Sequence, residues 1–161
     1  MNFEIANDFT YVLYTANLRA TATESATILT EIPFGVNKAT MLQRIAKLKE
    51  LNPDILVTCA YGQILSQEIL DIPKLGVINI HASLLPKYRG ASPIHYAILN
   101  GESKTGITIM KTDIGIDTGD MLLSKEITIG EEETCGELFE RLSSLGSNLI
   151  LTAINFLLYI Y

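Results

Sequence analysis

An amide and an imidazole two residues apart, Asn79 and His81, are the first residues of this chain with an evident chemical use. They follow an apolar run, Leu75–Ile78, that reads as a buried strand ending at Asn79. In an extended chain, residues i and i+2 face the same side. Both side chains can therefore address one point where a strand gives way to a loop, which is where open α/β sheets hold their ligands. Carboxylates stand further on, in the stretch TDIGIDTG between two strand-like runs: Asp113 and Asp117, with Asp120 just after. A carboxylate beside an imidazole favours its charged form and fixes its orientation. An amide N–H₂ next to a protonated imidazole gives two donors for one oxygen, the arrangement that stabilises an oxyanion developing on an attacked carbonyl. The carboxylate can also collect, through water, the proton of an attacking amine. Such a set suits acyl transfer to nitrogen without a covalent enzyme intermediate. The residues alone leave a plainer reading open, in which Asn-x-His is a satisfied polar turn and Asp117 a turn former.

Other chemistries lack their signatures. There is no GxGxxG, no GxxxxGK[ST] and no HExxH. Ser83 lies two residues after His81, but no GxSxG elbow surrounds it. Cys59 and Cys135 have no CxxC spacing and no neighbouring His, so they read as two small buried thiols, and no metal site is expected. The chain has 161 residues and a net charge of −6, which suits one domain and argues against a DNA-binding or broadly RNA-binding surface. Any RNA contact must be local or lie outside this chain.

The elements that must carry these residues follow from periodicity. YVLYT at Tyr11–Thr15 reads as a strand, Asn17–Ser25 as a loop, Glu24–Glu31 as one or two helical turns and Ile32–Val36 as a short strand. Met41, Leu42, Ile45 and Leu48 recur at helical spacing between an Asn37 cap and the stop at Asn52-Pro53. Asp54–Ala60, DILVTCA, is a largely apolar run of strand length, as a strand buried on both faces should be. Ser66 caps a short helix to about Leu70, and Ser92 with Pro93 opens another over Pro93–Asn100. Thr105–Lys111 and Asp120–Ile129 are strands, and Thr134-Cys135-Gly136-Glu137 is a capping box that starts a helix with an apolar stripe. This alternation gives an α/β fold, a Rossmann-like, mostly parallel sheet flanked by helices, with Thr105–Ile129 adding antiparallel strands at one edge. The apolar run Asn148–Tyr161 is shorter than the roughly 20 residues that span a bilayer. No positively charged, apolar segment opens the chain, so the expected location is the cytoplasm.

The text NIHASLLPKYRGASPI at Asn79–Ile94, followed by GITIM and DIGIDTGDML, resembles the folate-dependent formyltransferase family, and so does NPDILVTCAYGQILSQEIL at Asn52–Leu70. The likeness runs from about Ile32 to Ile150 and is greatest to the members that act on methionyl-tRNA. It implies the formyltransferase fold, with residues 1–161 as part of a catalytic domain. It also implies 10-formyltetrahydrofolate as cosubstrate. Asn79 and His81 would polarise the formyl oxygen, and Asp117 would orient His81 and relay the proton. By the same resemblance Ser83, Leu84, Leu85 and Pro86 form a folate-contacting turn, with a cis peptide before Pro86. Gln63, Ile64 and Leu65 would meet the pterin ring through their backbone, and the loop from Asp113 to Asp117 would close over it. The acceptor implied is the α-amine of initiator methionyl-tRNA. An amino-sugar nucleotide, glycinamide ribonucleotide, or folate binding without turnover are the rivals. The chain departs from the family in three ways. Met1–Thr10 lacks the usual opening strand and Gly-Thr-Pro turn, which should leave a sheet edge unpaired. Asn17–Ser25 is short and carries only Arg19 where relatives that bind tRNA have a long basic loop. A C-terminal β-barrel domain that helps hold tRNA does not follow. The resemblance therefore implies a chain truncated at both ends.

Overall fold

The structure, a computed structural model, describes residues 12–16, 26–30 and 38–160. The expected features at Met1–Thr10, Asn17–Ser25 with Arg19, Ile32–Val36 and the Asn37 cap lie outside the described residues. Ten elements follow in order: β1 (Val12–Ala16), β2 (Ala26–Thr30), α1 (Lys38–Leu51), β3 (Ile55–Cys59), α2 (Gln67–Leu70), β4 (Val77–His81), α3 (Pro93–Leu99), β5 (Lys104–Lys111), β6 (Met121–Thr128) and α4 (Cys135–Ile160). The strands form one sheet in the order β2-β1-β3-β4-β5-β6.

The α/β reading holds, but the sheet is mixed rather than mostly parallel. Among the described residues only β3 and β4 pair in parallel, while β1–β2, β1–β3, β4–β5 and β5–β6 are antiparallel. The connection after β4 explains part of this. With 7 residues, α3 spans about 10 Å, too little to carry the chain back along the sheet for a parallel return. β5 and β6 are then joined by a loop at one sheet end, which forces an antiparallel pair. Two further expectations are corrected. Within the stretch expected to be helical, Ala26–Thr30, rich in β-branched residues, is a strand. The edge of β3 is not open either, because β1 pairs with it.

Period-2 alternation sorts the central strands onto two cores. Ile55, Val57, Ile78, Ile80, Ile107 and Ile109 face the stripe of α4 formed by Leu138, Leu142, Ile150, Ala153, Ile154 and Leu157. On the other face Leu56 and Val77 meet Ile45 and Leu48 of α1, Ile69 of α2, and Tyr61 and Leu65. Leu42 was expected on the inner side of α1 but is exposed. The capping box at α4 forms as expected: Glu137 N–H donates to Thr134 Oγ1, while the Glu137 carboxylate accepts from the Thr134 N–H and hydroxyl. Neither Ser66 nor Ser92 caps its helix through its side chain, and Ser92 is left-handed at φ 59. The apolar run expected to be too short to span a bilayer is the end of a single 26-residue helix that runs to Ile160. By length and composition α4 is long and apolar enough to cross a membrane, and its buried stripe packs on the sheet core.

Gly106 of β5 tests how tightly this sheet is packed. A Cβ there would stand 2.2 Å from the Lys125 carbonyl oxygen on β6 and 2.6 Å from Leu84 Cδ2. The first obstacle is backbone and cannot rotate away. Gly106→Ala is expected to destabilise the fold by about 1–3 kcal/mol, as overpacking does. Thermal unfolding checks this, and an unchanged midpoint would contradict the packing described.

Candidate functional site

Asn79 and His81 stand on the sheet face that carries α1 and α2. The strand β4 runs on through His81 instead of ending at Asn79, so the pair sits on the sheet surface and not beyond its end. Register supplies their neighbours. Thr58 of β3 lies opposite Asn79, and Thr108 of β5 lies opposite His81. Thr58 Oγ1 donates to Asn79 Oδ1 at 2.9 Å. That bond fixes the amide and leaves the two Nδ2 protons as its donors.

His81 is 5% exposed. Its Nε2 lies 2.8 Å from the Tyr88 carbonyl oxygen. A carbonyl can only accept, so this nitrogen carries a proton and donates. The other ring nitrogen, Nδ1, is 3.4 Å from Asp117 Oδ2, longer than a good charge-assisted hydrogen bond. The same oxygen accepts the Gly90 N–H at 2.7 Å. Asp117 has φ +51, in the left-handed region that Asp tolerates better than most residues. The loop between β5 and β6 thus doubles back over the sheet face and brings a carboxylate to the imidazole.

The turn after β4 is pinned by two hydroxyls. Ser83, fully buried, donates to the Lys87 carbonyl at 2.6 Å. Thr108 Oγ1 donates to the Ser83 carbonyl at 2.7 Å and accepts the Leu85 N–H at 3.2 Å. Leu84 and Leu85 are half-buried, Pro86 is exposed, and the Leu85–Pro86 peptide is cis, as the resemblance implied.

Asp113 turns inward on its own loop, where its Oδ1 accepts from the Gly115 N–H at 3.0 Å and the Thr118 hydroxyl at 2.6 Å. It also lines a cavity of about 310 Å³ with Leu70, Leu75, Val77, Lys111 and Thr112. The Thr112 hydroxyl is buried with no hydrogen-bond partner among the described residues. Gln63, Ile64 and Leu65 are not among the cavity's lining residues. Leu65 is buried in the core beside α1 and α2, whereas Ile64 is 66% exposed.

No group of three or more His, Cys, Asp or Glu among the described residues is placed to hold a metal ion. Cys59 and Cys135 are half-buried and unpaired. Burial pushes the Cys59 thiol up to about 11. It is protonated near neutral pH and is a poor nucleophile there. Alkylation of Cys59 by iodoacetamide is expected to stay slow at pH 8 and to rise only above about pH 10, as peptide mass mapping would report. Rapid labelling at pH 7 would contradict this.

Several contributors escaped the sequence reading. Thr58 was seen only as part of a buried strand, and the parallel register that sets it against Asn79 is not written in local spacing. Thr108 was visible only as one residue of GITIM. The Tyr88 carbonyl and Gly90 N–H are backbone groups and carry no residue-type signal.

Residues 14–154 match the family described as formyl transferase. Methionyl-tRNA formyltransferase of Alkaliphilus metalliredigens is 61% identical over 108 residues, covering 67% of this chain and 34% of that protein. The enzyme of the same name from Acetivibrio thermocellus is 58% identical over 106 residues, covering 66% and 34%. The chain thus spans about a third of the length of these curated relatives. Among solved structures, phosphoribosylglycinamide formyltransferase from Bacillus halodurans superposes with a TM-score of 0.69 at 29% identity, covering 78% of this chain and 64% of that one. The formyltransferase PseJ from Anoxybacillus kamchatkensis, solved with a formamido sugar nucleotide and tetrahydrofolate, gives 0.59 at 31% identity, covering 66% and 56%. With its family match running over most of its length and its polar residues gathered on one sheet face, the chain belongs to the formyl transferase family.

Proposed function

We propose that this chain is the catalytic domain of an enzyme that moves a formyl group from 10-formyltetrahydrofolate to the α-amine of initiator methionyl-tRNA, working in the cytoplasm. The observation that carries the reading is the Asp117 carboxylate 3.4 Å from His81 Nδ1, on the sheet face that Asn79 shares by strand alternation. When bound, the folate would supply the formyl group: the amine forms a bond to the formyl carbon, the bond from that carbon to N10 breaks, and tetrahydrofolate leaves with N10 protonated. Asn79 Nδ2 donates to the formyl oxygen, its amide held by Thr58. His81 donates to the same oxygen from Nδ1, the nitrogen whose contact with Asp117 is long, while Nε2 stays on the Tyr88 carbonyl. Asp117 steadies the charged ring and takes the amine's proton through water. Such donors act in a buried site where charge is poorly screened.

The Asn79 amide donors and the His81 ring fit a formyl group. The cavity beside Asp113 is lined by none of residues 63–65 or 83–86. Ser83, Leu84, Leu85 and Pro86 would flank the folate, with Gln63, Ile64 and Leu65 offering backbone groups to the ring edge. Recognition of tRNA would draw on a further basic domain of the whole protein, since this chain carries a net charge of −6.

The methionyl-tRNA acceptor rests on relatives 54–61% identical over about two thirds of the chain. A second reading, an amino-sugar nucleotide or glycinamide ribonucleotide as acceptor, is favoured by the named activities of the structural neighbours, at lower identity. Formyl transfer to methionyl-tRNA, assayed beside both rival acceptors, separates them. Calorimetry with a folate analogue runs alongside. The expected result is folate binding with turnover on methionyl-tRNA. Turnover on a rival acceptor alone would overturn the substrate, and binding without turnover on any acceptor would overturn the enzyme.

A further inference from the structure

Tyr88 is held at both ends. Its carbonyl accepts the His81 Nε2 proton at 2.8 Å. Its hydroxyl donates to Glu102 Oε1 at 2.5 Å and accepts from Asn100 Nδ2 at 2.9 Å. Its ring stacks on Tyr96, with centroids 6.4 Å apart and planes 5° from parallel. Between these ends the backbone is left-handed, with φ 56. A bulky residue adopts that region only where its surroundings hold it there. Glu102 is the hub of that hold. It lies in the turn between α3 and β5, its N–H donates to the Ala97 carbonyl at 3.0 Å, and the same Oε1 accepts from Lys87 Nζ at 2.5 Å. One carboxylate oxygen therefore fastens both residues that precede Arg89 in the loop. Its carboxyl is held below the usual range, first by the Lys87 hydrogen bond and then by the Tyr88 hydroxyl.

We infer that Glu102 is a positioning residue, acting through the Tyr88 side chain to fix the carbonyl that keeps the His81 proton on Nε2 and turns Nδ1 toward Asp117. A neutral imidazole carries one N–H, and the partner of that N–H decides which nitrogen has it. With Nε2 committed to Tyr88, Nδ1 is the nitrogen presented to the Asp117 carboxylate. Loosening Tyr88 frees its backbone from the left-handed region, withdraws the carbonyl and lets the neutral ring take either tautomer. The kinetic consequence rests on the proposed formyl transfer. The tautomer itself does not.

The test is nitrogen-15 NMR of His81 in the folded chain without any ligand, in a His95→Gln background so that one imidazole is observed. Neutral His81 is expected as the Nε2–H tautomer. Tyr88→Phe, which keeps the ring and its stacking, and Glu102→Ala should each shift it toward a mixture. Glu102→Gln keeps an oxygen acceptor for the Tyr88 hydroxyl and should restore the Nε2–H form. In parallel, kcat for formyl transfer should fall about 10–100-fold in the two disrupting variants, with KM for the formyl donor little changed. An unchanged tautomer in Tyr88→Phe and Glu102→Ala, both folded by circular dichroism, would overturn the inference. So would a Glu102→Gln protein that behaves like Glu102→Ala. A shifted tautomer in a chain that transfers formyl to none of the acceptors would uphold the positioning role and reject the proposed reaction instead.

Discussion

Replacing His81 with alanine is expected to slow formyl transfer by about 10²–10³-fold, the usual cost of losing one oxyanion donor, while folate affinity stays within about threefold. The separation follows from where His81 sits. It is buried on the sheet face, and in the proposed reaction it meets the formyl oxygen and not the pterin ring. Its loss also leaves Asp117 bonded to the Gly90 N–H, so the loop over the site keeps an anchor. Single-turnover rates and calorimetry with a folate analogue measure the two quantities independently. A variant that transfers formyl within tenfold of the parent rate would show that the imidazole is not the polarising group.

The carboxylates should differ sharply. Asp117→Asn keeps the shape and an acceptor for the Gly90 N–H, but removes the charge facing His81 Nδ1. It is expected to cost about 10²–10³-fold in kcat, as loss of a positioned proton acceptor does. Asp113→Asn keeps the amide oxygen that can accept from Gly115 and Thr118, so its loss should stay within about tenfold. Rate measurements on the two variants side by side decide the matter, and the reverse order would make Asp113 the working carboxylate.

How far the letters could be read depends on which physical rule each feature obeys. The pair Asn79 and His81 was legible because strand geometry has a period of two, and the Thr134–Glu137 cap because it closes within one turn. Asp117 was found through its motif, but its contact with His81 arises from the antiparallel return of β5, which no local spacing encodes. Strand direction was misjudged for a related reason. Alternating helices and strands suggest a parallel sheet, yet α3 is too short to span one. The apolar run that starts at Asn148 in the letters is part of a longer helix, because the buried stripe on α4 runs from Leu138 through Ile150, Ala153, Ile154 and Leu157. Ile64 and Leu65 are neighbours in the letters and opposites in burial, so a motif match alone does not say which of them faces a ligand.

The central claim is that Asn79 and His81 together polarise one formyl carbonyl. Isotope-edited difference infrared spectroscopy of a carbon-13-labelled 10-formyl folate analogue bound to the chain addresses it directly. The expected result is a C=O stretch moved to lower frequency on binding, with part of that shift lost in Asn79→Ala and part in His81→Ala. An analogue that calorimetry reports as bound, yet whose carbonyl vibrates as it does in water and ignores both substitutions, would contradict the account.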